Sequence, residues 1–434
     1  MLLLRFKLGD VIITNFITCL FVLICFSYPT TIVLILSLGL PPNIINIVLK
    51  LLLLLLSIVV IIYAFRTRQT RVPKVTIPTL VFLFIYSFRL IYDVSIRGID
   101  MLAYNRFYIY SYFFGVAFLP TIALILSHKL INVKHIIKYA FVLLISGNVL
   151  LFYHLLYNSK LSFIQMLAGR SQVVDVEKGD NFTFINPITV GLFGASLVLF
   201  AICYKLDLNY SKFKINVVRF FLLLLGAANM LIGASRGPIL SLMLVLVLLL
   251  LVYFKDVLFR SLYSFWGFIV KLALSLFLFY YVISFFVEKN EIFVLQRIFS
   301  FYDKVNSGGK EYRDYAFESA INDFLSSPII GKQFVGTYDN FYPHNLPIEI
   351  LMSLGLIGGV VFVLIVLYQF RSVKYIFAHK CEYYKMPILT LALMSILQSQ
   401  TSGTIIANPE YWLLTTLLIL LPLLHENRTN VIAK

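Results

Sequence analysis

Between Pro238 and Phe254 the chain runs without a charged residue, and Val48 to Tyr63 carries a single one, Lys50. Runs of this kind are long enough to cross roughly 30 Å of hydrocarbon. A transmembrane barrel would need alternating polarity in roughly ten-residue pieces, and these runs are apolar on all sides. The expected fold class is therefore an all-α polytopic membrane protein. Composition agrees, with 13% charged residues and 60% hydrophobic ones, against about 25% charged in soluble domains.

The net charge of +16 would suit a nucleic-acid binder if the charges formed one surface, but they do not. Lys and Arg gather in short gaps between apolar runs: Arg66, Arg68, Arg71 and Lys74; Lys129, Lys134 and Lys138; Lys205, Lys212 and Lys214; Arg371, Lys374, Lys380 and Lys385. That is the bias that retains basic loops in the cytoplasm. Apolar length and flanking charge place about twelve spans, near 11–28, 44–65, 76–94, 107–128, 136–157, 185–204, 216–234, 238–254, 262–286, 346–370, 386–402 and 410–425. Alternation from an inside start puts every basic cluster and both termini in the cytoplasm. The stretch from Thr30 to Leu40 reads as a short interfacial helix. Arg5 and Lys7 precede an apolar run with no small-residue cleavage site, so the first segment reads as an uncleaved span. Cys19, Cys25, Cys203 and Cys381 fall in spans or a cytoplasmic gap, and none is spaced for a disulfide or a zinc site.

The opposite face receives two sizeable loops inside a single membrane domain, residues 1–434. One covers about 158–184. The other, residues 287–345 between the ninth and tenth spans, is slightly acidic in a basic chain, as expected outside the cytoplasm. Within it Tyr312, Tyr315, Ala316, Ala320, Ile321 and Phe324 recur at three- and four-residue intervals, which predicts an amphipathic helix over Glu311 to Leu325. Ser327-Pro328 and Gly331 close it. Loops of this length with their own helix usually serve as lids or sites.

No phosphate-binding glycine loop, dinucleotide fingerprint or metal-ligand cluster occurs in the sequence, so no cofactor or metal is expected. Four other features carry chemistry. His344 lies where the polar loop meets an apolar helix, either as an interfacial anchor or as a group for proton chemistry. Asn345 can cap that helix, with Pro347 in its first turn, which holds His344 just outside the positive end of the dipole and favours its neutral form. Glu349 follows one turn in, placed to orient His344 or to bind substrate. Arg236, between two apolar spans, is either a snorkelling anchor or a fixed guanidinium suited to phosphate, and Arg313 is either a surface pair or a second cation. Gly355 and Gly358 would let a neighbouring helix approach closely. Tyr302, Tyr312, Tyr315, Tyr338, Phe341 and Tyr342 add aromatic faces that suit sugar rings.

This constellation resembles the bacterial O-antigen ligase/polymerase superfamily. The residues that carry the likeness are His344-Asn345 followed by Gly355 and Gly358, Arg236 with Leu240, Arg313 with Ser327-Pro328 and Gly331, and Asn186-Pro187. The resemblance implies a metal-independent glycosyltransferase of the inner membrane whose site faces the periplasm. Its donor would be a glycan on undecaprenyl diphosphate, with His344 as general base on an acceptor hydroxyl, inversion at the anomeric carbon, and Arg236 and Arg313 on the diphosphate. Asn345 and Glu349 would complete substrate binding. The wording around His344 and Arg236 is closer to O-antigen polymerases, which join lipid-linked repeat units, than to ligases, which load the lipid A-core. A chain-length regulator is a partner the resemblance leaves open. A transporter of the same lipid-linked sugars is disfavoured because few charges fall mid-span (Lys271, Arg89) and the notable residues gather at one face.

Overall fold

The computed structural model describes residues 2–38, 42–67, 72–101, 105–159, 173–174, 183–185, 187–204, 212–258, 312–378, 385–406 and 408–432. The helices, in chain order, are α1 (Leu2–Phe26), α2 (Tyr28–Ser37), α3 (Pro42–Arg66), α4 (Ile77–Ile91), α5 (Arg106–Tyr112), α6 (Leu119–Leu126), α7 (Val133–Ser159), α8 (Pro187–Cys203), α9 (Lys212–Gly233), α10 (Arg236–Leu258), α11 (Tyr312–Ser326), α12 (Leu346–Ala378), α13 (Met386–Ser402) and α14 (Pro409–Ile432). One short antiparallel ladder, β1 (Val173–Val174) against β2 (Thr183–Ile185), lies in the smaller loop. The all-helical class holds among the described residues apart from that ladder.

Six of these segments are long and apolar enough to cross a membrane, and the bent pair Val11–Phe26 plus Tyr28–Ile35 adds a seventh. Three shorter apolar helices, Pro187–Cys203, Arg236–Val252 and Pro409–Leu424, fall at expected spans. Among the described residues six or seven candidate spans are thus found, and the count of twelve is not confirmed. The expected span at 386–402 forms as α13, but it is a helix of 17 residues with polar Gln398, Ser399 and Thr390 buried along it. The expected span at 262–286 and Cys381 lie outside the described residues. Cys19, Cys25 and Cys203 are free thiols. The interfacial helix expected after Thr30 is α2, which departs from α1 at 72°.

The chain divides into two compact units, one of residues 1–143, 203–205 and 310–434 and one of residues 144–202 and 206–309. In the first, α4 and α11 pack on α12, and α13 packs on α14. Its core is aromatic: Phe82 lies 5.1 Å from the Trp412 ring, and Tyr86 lies 5.2 Å from Phe113. Phe334 and Val335, from the loop that follows α11, are fully buried in this same cluster. The loop is therefore part of the packed body.

In the second unit small residues set the spacing. A Cβ on Gly194 would fall 2.7 Å from the Met230 nitrogen, and one on Gly233 would fall 2.7 Å from the Pro187 carbonyl. Backbones this close are what glycine permits between membrane helices. Asn229 Nδ2 donates to both the carbonyl and the side-chain oxygen of Asn148 at 2.9 Å, and Asn148 Nδ2 donates to the Phe193 carbonyl at 3.1 Å. A fully buried amide pair thus ties three helices together.

Candidate active site

The amphipathic helix expected over 311–325 forms as α11. Its apolar face is carried by Ala316 and Ala320, both buried, while Tyr312, Tyr315 and Ile321 remain exposed. Ser327 ends it: its N–H donates to the Phe324 carbonyl and its Oγ to the Gly331 carbonyl at 2.9 Å. Gly331 has φ +75°, in the left-handed region that glycine enters without a Cβ penalty.

That turn has a partner which the sequence reading misplaced. Gly355 was expected to admit a neighbouring helix. It instead breaks α12, with φ 61° and ψ −154°, a region essentially reserved for glycine. A Cβ there would fall 2.6 Å from the Gly331 nitrogen. The groups freed by the break bond to the turn: Lys332 N–H to the Met352 carbonyl at 2.8 Å, Leu356 N–H to the Pro328 carbonyl at 2.8 Å, and Ile357 N–H to the Ile329 carbonyl at 3.2 Å. Ser327-Pro328…Gly331 and Gly355 are two halves of one clasp. Gly358 meets the Leu354 side chain of its own helix.

Two buried carboxylates pin the chain between the clasp and His344. Asp323 on α11 accepts from Lys332 Nζ at 2.7 Å, from Thr337 N–H at 2.9 Å and from Thr337 Oγ1 at 2.7 Å. Asp93 sits in a π-helical turn, Tyr92–Ile96, that continues α4. It accepts the Phe334 N–H at 2.9 Å and pairs with Arg89 at 2.9 Å and Arg97 at 3.1 Å. Arg97 also donates to the Lys332 carbonyl at 2.8 Å. Arg89, whose mid-span charge bore on transport, is half of this ion pair. Neither aspartate was singled out in the sequence, because each acts on chain far from it.

The segment so anchored delivers His344, half-buried and itself on left-handed backbone at φ 58°. The Tyr342 ring meets the imidazole edge-on at 4.6 Å, and Phe341 lies 5.6 Å away. Asn345 caps α12 as expected, its Oδ1 accepting the Ile348 N–H at 3.1 Å. Its Nδ2 donates to the Gln400 carbonyl at 2.9 Å, and Arg313 Nη1 donates to the Thr401 carbonyl at 2.8 Å. These carbonyls belong to the last turn of α13, whose carbonyl end attracts donors and positive charge.

Glu349 engages the residues just beyond. It is fully buried, and its carboxylate accepts from Thr404 Oγ1 at 2.9 Å and from the Ile405 N–H at 3.1 and 3.2 Å. The Trp412 indole N–H closes the turn on the Ile405 carbonyl at 3.0 Å. The expectation that Glu349 orients His344 directly gives way to this geometry: it holds the 404–405 turn. Arg313, Asn345 and Glu349 thus converge on residues 400–405, a stretch that carried no signal in the sequence.

His344 has its pKa lowered to about 4, first by burial and then by the Arg313 cation, with Asp339 acting in the opposite sense. The neutral form expected from the helix end is obtained, but burial and Arg313 are its main causes. Asp339 accepts from the Tyr312 hydroxyl and, at 2.9 Å, from the Phe341 N–H. Desolvation and Asp339 push the Tyr312 hydroxyl up to about 12, so it stays a donor. Among the described residues no three His, Cys, Asp or Glu side chains group as metal ligands.

Arg236 belongs to the second unit. Ala234 turns the chain at φ 44°, and Arg236 is the first residue of α10. A Cβ on Gly191 would fall 3.3 Å from Pro238 Cγ. The Arg236 turn therefore packs on the start of α8, beside Pro187, so two of the sequence motifs meet within this unit.

No curated protein matches the chain. Residues 221–363 match the family described as O-Antigen ligase, a stretch that contains Arg236, Arg313, His344, Asn345, Glu349 and both glycines of the clasp. The chain is a multi-pass membrane protein that, across residues 221–363, is similar to the O-antigen ligase family, whose proteins are lipid-linked glycan ligases and polymerases, a class of glycosyltransferases.

Proposed function

We propose that the protein is an O-antigen polymerase of the bacterial inner membrane, joining undecaprenyl-diphosphate-linked repeat units on the periplasmic face. One observation carries the reading: His344 packs against Tyr342 and Phe341 just before the capped start of an apolar helix, half-buried and near the Arg313 cation, which disfavours its protonated form. A neutral imidazole can take the proton of an acceptor hydroxyl. The oxygen then attacks the anomeric carbon, the new C–O bond forms with inversion, and the electron pair of the breaking bond leaves with the lipid diphosphate. Arg313 is suited to stabilise the charge on that leaving group, and Arg236 has the same chemistry by its motif. An anionic diphosphate beside Arg313 also screens the cation that depresses His344, so donor binding would strengthen the base. Asn345 and Glu349 serve by fixing His344 and the 400–405 turn.

The family description favours a second reading, a ligase that transfers the glycan to lipid A-core. The chemistry at His344 is the same; only the acceptor differs. Gel electrophoresis of lipopolysaccharide separates the two in a strain lacking the gene. Core with a single repeat unit and no ladder identifies the polymerase. Loss of even that unit identifies the ligase, and an unchanged ladder contradicts both.

A further inference from the structure

Tyr315 and Tyr338 stack with ring centroids 6.4 Å apart and planes at 21°. Both are exposed, at 46% and 61%. Single exposed aromatics are ordinary on a protein surface, but this pair does not stand alone. Tyr312 lies three residues before Tyr315, which puts the two on one face of α11. Its hydroxyl locks Asp339, the residue after Tyr338, and the Phe341 N–H fixes the other carboxylate oxygen. A carboxylate has about four acceptor sites, so Asp339 keeps capacity for sugar hydroxyls. A rigid aromatic surface beside an oriented carboxylate offers what a pyranose presents, an apolar C–H face and a rim of hydroxyls.

The platform leads to His344. Asp339 acts electrostatically on the imidazole, and Phe341 and Tyr342 pack against it. Arg313 lies on the same helix but its guanidinium turns to the Thr401 carbonyl. One helix thus separates an aromatic side from a cationic side.

We infer that Tyr315 and Tyr338, with the Tyr312–Asp339 pair, form the subsite for the acceptor sugar. This rests on the proposed glycan transfer at His344. The donor carbon is bonded to a diphosphate that ends in lipid, so its sugar is confined to the membrane edge, on the side of Arg313. The acceptor hydroxyl is not on the sugar that bears its own lipid diphosphate, and it must give its proton to His344. A water-exposed platform adjoining the histidine fits the second sugar. The assignment is the same for a polymerase and a ligase.

Initial rates of the purified full-length protein in lipid nanodiscs test it, with a lipid-linked repeat unit blocked at its acceptor hydroxyl as donor and the repeat-unit oligosaccharide without lipid diphosphate as acceptor, each varied in turn. Tyr315→Ala and Tyr338→Ala should each raise the acceptor KM by about tenfold, a loss of binding alone, with the donor KM unchanged. Tyr315→Phe and Tyr338→Phe, which keep the ring, should recover most of the acceptor affinity. An unchanged acceptor KM in the double alanine variant would overturn the assignment, as would a rise in the donor KM instead. His344→Ala, assayed in parallel, separates the levels: if it turns over normally, the underlying reading fails by itself, whatever the tyrosines do.

Discussion

His344 combines left-handed backbone, partial burial and a neighbouring guanidinium, and each has a consequence that can be measured. With its pKa lowered to about 4, protonation is opposed in the folded chain. The stability linked to the neutral form is present above the unfolded value of about 6.5 and is lost as pH falls towards the folded one. For activity, the acidic limb of kcat/KM should lie near the histidine's lowered value. Replacing Arg313 by Gln removes a cation that depresses the imidazole and should move that limb to higher pH; Asp339→Asn should move it lower. A limb that stays in place in both variants would remove His344 as the titrating base. The Asn345 cap was legible in the sequence because it depends on residues within one helical turn, whereas the lowered pKa of His344 arises from burial and Arg313 rather than from the helix end the sequence suggested. The contribution of Arg313 was not legible, since 31 positions separate it from His344.

At the scale of elements, local pattern served well and distant pairing did not. The period of α11 is written in its own residues, and Ser327-Pro328…Gly331 gave its end. Nothing local says that Gly331 and Gly355 press backbone to backbone, or that Asp93 on α4 holds the amide of Phe334. Gly355→Ala should be strongly destabilising. Its φ and ψ alone cost a residue with a Cβ on the order of 1–3 kcal/mol, and the Gly331 nitrogen leaves that Cβ no room. A lowered thermal unfolding temperature in detergent would register this. The 400–405 turn makes a subtler prediction. Thr404→Val keeps shape but removes the hydroxyl donor to Glu349, so the carbonyls that hold Arg313 and Asn345 lose their brace. We expect kcat to fall about tenfold or more with little change in either KM, as for other small misplacements of reacting groups. Thr404→Ser, which restores the donor, should recover it. Full activity in Thr404→Val would make the turn a packing feature only.

Over the whole molecule, hydropathy identified a membrane protein from single runs, while the number of spans depends on how helices bend and pair. Three expected spans form helices that are apolar but short, Pro187–Cys203, Arg236–Val252 and Pro409–Leu424, and these rather than the runs themselves leave the count below twelve among the described residues. The proposed orientation rests on the basic clusters and can be tested independently of the count. A cysteine at Ser326 should react with a membrane-impermeant maleimide applied from the periplasmic side, and one at Lys374 should not; the reverse pattern would invert the proposed topology. The central claim, transfer of a lipid-linked glycan with His344 as base, is tested most directly by reconstitution. Purified protein in nanodiscs, given undecaprenyl-diphosphate-linked repeat units, should form longer lipid-linked glycan, and His344→Ala of equal folding should form none within detection. Near-normal product from His344→Ala would contradict the account and leave His344 as an interfacial residue.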